Sequence, residues 1–146
     1  MVKNVENTCT EGAKSMFLGT FEPNLMDKGR IALPKKIRDE LVNQRLVITI
    51  GFEECIFGFT VNAWEEIIGA ELDRPLFSDR EGRDLRRKMC AEAINLELDS
   101  QGRFIIPEKM MKYADITSSV VIIGAGDHFE IWKKEKWEEY RSNMTG

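Results

Sequence analysis

Leu25-Met26-Asp27-Lys28-Gly29-Arg30-Ile31-Ala32-Leu33-Pro34 is built like Leu98-Asp99-Ser100-Gln101-Gly102-Arg103-Phe104-Ile105-Ile106-Pro107, which stands 73 positions further along the chain. Each stretch has a glycine that permits a tight turn, an arginine straight after it, three apolar residues, and a proline suited to the first position of a helix. The unit is therefore a turn carrying a cation on a small α+β module. The same offset, without a gap, aligns Lys36 with Lys109, Val47 with Val120, Ile50-Gly51 with Ile123-Gly124, and Trp64-Glu65-Glu66 with Trp137-Glu138-Glu139. Self-similarity of this kind decides architecture before any local reading. Two copies are too few for a solenoid, which needs about three units to bury a continuous core. They suit a pseudo-symmetric pair packed on each other.

The chain has 146 residues, enough for one domain burying roughly 70% of its unfolded surface, whereas separate halves of about 50 residues would be marginal. No run of about 18 apolar residues exists, and residues 1–15 lack the apolar centre of a signal peptide. The chain reads as cytoplasmic. Cys9, Cys55 and Cys90 are odd in number and widely spaced, and there is one histidine, His128. That spacing implies neither a disulfide framework nor a zinc site, and Cys55 and Cys90 are expected to be buried thiols.

The net charge is −4 and the pI about 5.2, which argues against coating nucleic acid by bulk charge. Distribution matters more. Between Asp27 and Arg45 the cations Lys28, Arg30, Lys35, Lys36, Arg38 and Arg45 outnumber the anions Asp27, Asp39 and Glu40. One face of the first unit can be basic on an acidic body.

Along the chain, residues 1–15 are polar and expected to be a disordered extension. A first unit over 16–72 begins at Met16-Phe17-Leu18-Gly19. Its turn is followed by a short strand and a helix from Pro34 to about Asn43, with Ile37 and Leu41 facing the core and Lys35, Lys36, Arg38 and Asp39 in solvent. Leu46–Ile50 and Cys55–Phe59 read as a hairpin, and Asn62 with Glu65 as the cap of a helix over Trp64–Glu71. A connector over 73–90 carries Arg80, Arg83, Arg86, Arg87 and Lys88, with Ser78 and Glu81 as its capping box. A solvated helix face is the ordinary reading of that run, and contact between subunits the other. The second unit, 91–140, alternates Ile94, Leu96, Leu98 against Ala93, Asn95, Glu97. Helix 108–114, strands 120–123 and 128–132, and a closing helix with Trp137 and Tyr140 follow, leaving a tail at 141–146. Trp64 and Trp137 are expected to anchor core or interface at matched places. His128 reads as a hairpin residue rather than a ligand or base.

The paired turn-Gly-Arg-apolar-Pro units, the Met-Phe-Leu-Gly opening and the Trp-Glu-Glu endings resemble the MraZ family of bacterial transcriptional regulators, which have two SpoVT-AbrB domains. The resemblance covers Met16 to about Tyr140. It implies an α+β fold of two tandem AbrB-like, swapped-hairpin β-barrel half-domains with short flanking helices. It further implies homo-oligomeric rings, and double-stranded DNA as partner through short direct repeats ahead of the division and cell-wall gene cluster that includes the family's own gene. A cytoplasmic, nucleoid-associated protein follows, with no cofactor and no small-molecule substrate.

The family motif is Asp-x-x-x-Arg in each half. The second copy matches it with Asp99 and Arg103; the first has Met26 at the aspartate position, Asp27 one place later, and Lys28-Gly29-Arg30 intact. An aspartate there can accept hydrogen bonds from turn amides or orient the arginine, as methionine cannot. Either Asp27 substitutes or the first turn is looser. With Gly29 and Gly102, Asp27 and Asp99 are the expected turn organisers. The expected DNA contacts are the Arg30 guanidinium, presented with Lys28, at a guanine edge in the major groove, with Gln101 and Arg103 in the equivalent turn of the second copy. Lys35, Lys36 and Arg38 in the first half and Lys109 and Lys112 in the second are expected at phosphates, with helix N-terminal amides adding attraction. By position, Arg38 and Lys112 look like the basic helix residues that related AbrB-type proteins use.

Catalysis is disfavoured: no P-loop, no GxSxG, no paired histidines and no Cys-His pairing beyond one isolated histidine occur. An AbrB-fold antitoxin usually carries one DNA-binding unit and a tail that wraps its toxin, while this chain spends its C-terminus on a second unit. A ring-forming assembly protein without specific DNA readout is the remaining alternative, if Met26 disables the first turn.

Overall fold

The computed structural model describes residues 15–144, and its organisation follows from how the two copies of the repeat pair. Strand β2 (Arg30–Ala32) lies antiparallel to β6 (Arg103–Ile105), with Ile31 opposite Phe104. These two residues are counterparts at the 73-residue offset, so a pseudo-twofold axis passes between them. The axis reappears between β4 (Ile56–Phe59) and β8 (Phe129–Lys133), where Phe57 stands opposite its own counterpart Glu130.

The remaining strands exchange between halves. In a six-stranded antiparallel sheet, β1 (Thr20–Phe21) pairs with β7 (Val120–Gly124), β7 with β8, β8 with β4, β4 with β3 (Arg45–Ile50), and β3 with β5 (Ile94–Glu97). The strand before each turn is thus added to the hairpin of the opposite half, which is a swapped arrangement. A ladder closed into one barrel is not formed. Strands β1 and β5 are the edges of the large sheet, and β2 with β6 makes a separate two-stranded ribbon.

Packing explains why the ladder stays in two pieces. One face of the large sheet, through Leu46, Ile48, Ile56, Ile122, Phe129 and Ile131, shares a core with Ile31 and Phe104 of the ribbon and with Ile37, Leu41, Ile106 and Met110. The other face presents Phe57, Phe59, Val121, Ile123 and Trp132 to helices α2 (Val61–Leu72), α3 (Arg80–Ala91) and α5 (Lys134–Asn143). A sheet covered on both faces buries successive residues rather than alternate ones, as the unbroken burial of Leu46 to Thr49 shows. Each fully buried Ile or Phe contributes roughly 1.5–3 kcal/mol. Trp64 and Trp137 sit at matched places on the helix-covered face, Trp64 against Phe59 at 5.4 Å and Trp137 against Trp132 at 5.2 Å.

Several local expectations change. The helix after Pro34, α1, spans only Lys35–Arg38, because the amides of Glu40 and Leu41 bond three residues back and Asn43 and Gln44 adopt φ of 57° and 60°, which turns the chain into β3. Thr60, not Asn62, caps α2 by accepting from the Ala63 amide at 3.0 Å. Asp79, not Ser78, caps α3 through the Gly82 amide at 2.8 Å. Cys90 is exposed because α3 turns Met89, not Cys90, toward the sheet, while Cys55 is buried. The α4 helix, Glu108–Tyr113, and the alternation around β5 are as expected. The predicted N-terminal extension lies, apart from Ser15, outside the described residues.

His128 is bound by two carboxylates. Its Nδ1 is 2.9 Å from Asp127 Oδ1 and its Nε2 is 2.7 Å from Glu130 Oε2. Two ionised acceptors, one at each ring nitrogen, call for an imidazolium, since a neutral ring has one donor. Burial draws the His128 pKa down, but the hydrogen bonds to Glu130 and Asp127 outweigh it and the pKa stands above its ordinary value. Burial pushes Glu130 up, and His128 and the Trp132 indole together hold it below its ordinary value. Glu130 thereby keeps a negative charge in the middle of the sheet, beside the Cys55 thiol, whose own pKa burial and Glu130 push up.

Two outcomes follow for stability. A Cβ added at Gly58 would stand 2.2 Å from the buried ring of Phe129, so Gly58→Ala is expected to cost about 1–3 kcal/mol by overpacking, measured by chemical denaturation. The stabilisation from raising the His128 pKa is complete below the ordinary value of 6.5 and is lost as pH rises through the raised value; that from lowering Glu130 is present above 4.5 and is lost as pH falls through the lowered value. The unfolding midpoint should therefore be highest between these pH values, and His128→Gln should flatten the alkaline decline; a variant with the wild-type profile would refute this.

Candidate nucleic-acid interface

Period-two alternation sorts the ribbon into an inner and an outer face. Ile31 and Phe104 point inward and are 0% and 6% exposed. Arg30, Ala32, Arg103 and Ile105 share the outward face, Arg30 opposite Ile105 and Ala32 opposite Arg103. The two arginines are consequently diagonal neighbours, about 7–8 Å apart at the backbone. Ile105 stands between them with 47% of its surface exposed. By residue type Ile105 is only one of three apolar residues after the turn, with nothing to mark it as outward except its place in the alternation. The signal was there, because alternation must turn the middle residue of three away from the core.

The turns at the two ends of the ribbon are locked by the opposite half. The Leu33 amide donates to the Gly102 carbonyl at 3.0 Å and the Ile106 amide to the Gly29 carbonyl at 2.9 Å. Gly29 and Gly102 adopt φ of 79° and 75°, and an added Cβ would meet the Ile106 carbonyl oxygen at 2.9 Å or Arg38 Cδ at 2.5 Å. Both glycines are needed for the conformation and for the close approach.

Beyond that frame the turns differ. Asp99 Oδ1 accepts from the Gln101 and Arg103 amides, each at 2.9 Å, and Oδ2 accepts from Arg103 Nε at 2.9 Å. The Arg103 amide foremost, then its guanidinium and the Gln101 amide, hold the Asp99 carboxyl below the usual carboxylate range against a partial opposing effect of desolvation. In the first turn Met26 supplies no side-chain acceptor, and Asp27 contributes its backbone carbonyl, which accepts from the Arg30 amide, rather than its carboxylate. Asp27 lies in a short 3-10 turn, Asp27–Gly29, exposed and with no donor to its carboxylate among the described residues. Lys28 carries the turn instead, at φ 66°, a left-handed conformation uncommon outside glycine. Arg30 is exposed, and its guanidinium makes no hydrogen bond or ion pair among the described residues.

The flanking cations divide into free and engaged. Lys36 and Lys109 are exposed and unpaired among the described residues, and Gln101 is exposed in its turn. Lys35 pairs with Asp39 at 2.8 Å and Lys112 with Glu108 at 3.8 Å, both on the surface, where such pairs are worth little and part readily. Arg38 is not a solvent-facing cation. Its Nε donates to the Leu33 carbonyl at 3.0 Å and its chain roofs Gly102, so packing holds it half-buried. Its counterpart Met111 lies near Gly29 in the same way. The helices α1 and α4 that carry these residues are of four and six residues, each preceded by its proline.

Three of the connector arginines, Arg74, Arg83 and Arg86, serve the fold. Arg86 donates to the carbonyls of Glu71 and Arg74 at the end of α2, Arg83 to those of Leu76 and Phe77, and Arg74 bridges Glu71 and Asp79. Among the described residues no group of three or more His, Cys, Asp or Glu side chains could hold a metal ion, and no helix is long and apolar enough to cross a membrane.

The family model described as "MraZ protein, putative antitoxin-like" matches residues 16–87 and 89–145. The chain is 40% identical over 129 residues to the "Transcriptional regulator MraZ" of Roseiflexus sp. (strain RS-1), covering 88% of this chain and 89% of the relative. The protein of the same name from Roseiflexus castenholzii (strain DSM 13941 / HLO8) matches to the same extent, and that from Finegoldia magna (strain ATCC 29328 / DSM 20472 / WAL 2508) is 39% identical over 130 residues, 89% of this chain and 90% of the relative.

Removing the carboxylate should loosen one turn only. In Asp99→Ala the Gln101 and Arg103 amides are expected to exchange with solvent several-fold faster, while the Met26 amide, bonded to the Arg30 carbonyl at 2.8 Å, keeps its wild-type rate. Equal acceleration in both turns by hydrogen-exchange NMR would show that the asymmetry does not reside in Asp99.

Proposed function

The chain belongs to the MraZ family, and from that premise we propose that it regulates transcription by inserting the β2–β6 ribbon into the major groove of double-stranded DNA. The observation that carries this is the outward face of the ribbon, where Arg30 and Arg103 are displayed from a backbone locked at both ends. A two-stranded ribbon fits the major groove, and a guanidinium there bonds bidentately to guanine O6 and N7. Lys28, Lys36 and Lys109 neutralise phosphates, and Lys35 and Lys112 join them when DNA displaces their surface partners. With a net charge of −4, the chain is drawn to DNA by local cations rather than by bulk charge.

One ribbon neutralises few phosphates, so a single chain binds weakly. Several chains in a homo-oligomeric ring, reading short direct repeats in the promoter of the division and cell-wall gene cluster that includes its own gene, overcome this through effective concentration. Assembly has a surface to draw on. Phe77, on the connector, is 91% exposed, beside Leu76 at 49% and Leu72 at 53%, while Arg83 clasps the Leu76 and Phe77 carbonyls. Binding to chromosomal DNA places the working protein in the cytoplasm, at the nucleoid.

The test is fluorescence anisotropy with duplex from upstream of the chain's own gene against a scrambled duplex, over a salt series, with sedimentation of the free and bound protein. Preference for the natural duplex, falling as salt rises and reduced by about 1–3 kcal/mol in Arg103→Ala, is expected, with several chains on each duplex. Equal affinity for both duplexes would refute sequence reading, and a monomer binding repeats tightly would refute the ring.

A further inference from the structure

We propose that sequence discrimination resides in the outer face of β6, where Arg103 reads a guanine and Ile105 the 5-methyl group of a thymine about two base-pair steps away, whereas Arg30 supplies salt-dependent attraction with little base preference. This rests on the DNA-reading function above and divides it unequally between the two turns.

The first ground is the state of the two arginines. Arg103 is committed before any DNA arrives: Asp99 Oδ2 holds its Nε at 2.9 Å, and the same carboxylate fixes the backbone of the turn through Oδ1. Its two terminal nitrogens make no hydrogen bond among the described residues, so the donor pair that matches guanine is left over on a side chain already oriented. Arg30 has no such partner among the described residues. Its chain must be ordered on binding, at a cost in side-chain freedom that Arg103 has largely met already. Base discrimination needs fixed geometry, because a misplaced donor finds phosphate as readily as a base edge. A mobile cation still gains from the phosphate field. The cause of the difference is one position, Met26 where the second half has Asp99.

The second ground is Ile105. Its neighbours in sequence, Phe104 and Ile106, are 6% and 1% exposed and belong to the core, while Ile105 is 47% exposed and contributes little to it. A large aliphatic side chain displayed on the same face as two arginines suits an apolar partner set among phosphates. The thymine methyl group is the apolar feature of the major groove, and aliphatic contact with it is one of the direct forms of readout. Ile105 stands two residues beyond Arg103 on one strand, roughly 7 Å along it. Base pairs rise about 3.4 Å each, which sets the two-step spacing. The matching outward residue of the first half is Ala32, too short to reach as far.

The experiment begins with selection of duplexes from a randomised pool by the intact protein at fixed salt, followed by anisotropy on the enriched sequence and two single-atom-group variants of it. Replacing the selected guanine by 7-deazaguanine removes N7; replacing the selected thymine by uracil removes only the methyl. Wild type should lose about tenfold in affinity to the first and about fourfold to the second. Arg103→Ala should be indifferent to the deaza substitution, and Ile105→Ala to uracil. Arg30→Ala should weaken binding to every duplex alike and lower the salt slope by about one. Ile105 and Arg30 are surface residues, so unchanged melting temperatures confirm that these variants are folded. Arg30→Ala altering base preference as much as Arg103→Ala would overturn the division, and a uracil penalty that persists in Ile105→Ala would overturn the role of Ile105. A pool that yields no enriched sequence would instead overturn DNA reading itself.

Discussion

The antiparallel pairing of β2 with β6 is the constraint on which the rest of the molecule depends. It joins the two copies of the repeat at counterpart positions, Ile31 against Phe104, and the same register lets each half close the other's turn, Leu33 onto Gly102 and Ile106 onto Gly29. Neither turn is complete without the opposite half. The buried side of the ribbon seals the core over the large sheet, and the outer side is left with nothing but Arg30, Ala32, Arg103 and Ile105. Structure and candidate function are thus the two faces of one pair of strands. Strand exchange extends the same interdependence, since β1 and β5 each add to the hairpin of the other half.

Two-fold pairing of unlike copies puts counterpart residues in each other's environment, and small sequence differences become local specialisation. Asp99 and Met26 make one turn rigid and leave the other held by a left-handed lysine. Arg38 roofs one glycine and Met111 the other. On the helix-covered face, Phe57 meets Glu130 on the axis, while the counterparts Cys55 and His128 both approach that one carboxylate. A carboxylate at such a depth is tolerated because His128 and the Trp132 indole both donate to it. The duplicated plan supplies the frame, and the divergence of its copies supplies a direction along the ribbon.

Much of this was legible without coordinates. Ungapped repetition at one offset required a pseudo-symmetric pair, and Gly-Arg before an apolar triplet and proline required a turn, a short strand and a helix start. Boundaries were less legible. The helix after Pro34 stops early because Asn43 and Gln44 take left-handed backbone, and the caps of α2 and α3 fall two and one residues away from the expected ones because Thr60 and Asp79 are the side chains with a free amide in reach. Residue type could not distinguish Arg38 from Arg30, since both are arginines in a cationic stretch. Only the approach of Gly102 from the other half turns one of them into a packing residue.

By itself, the sequence determined that there are two equivalent units, that each presents a cation from a glycine turn, and which of the two lacks the aspartate. These are local properties, set by residue type and spacing along one stretch of chain. The tertiary structure decided that both arginines and Ile105 share one surface, that the strands preceding the turns exchange between halves, and that the Asp27 carboxylate has no partner among the described residues while Asp99 holds its turn together. Those outcomes depend on register between segments some seventy residues apart, and register is chosen by the burial of whole faces, which no single stretch of sequence contains.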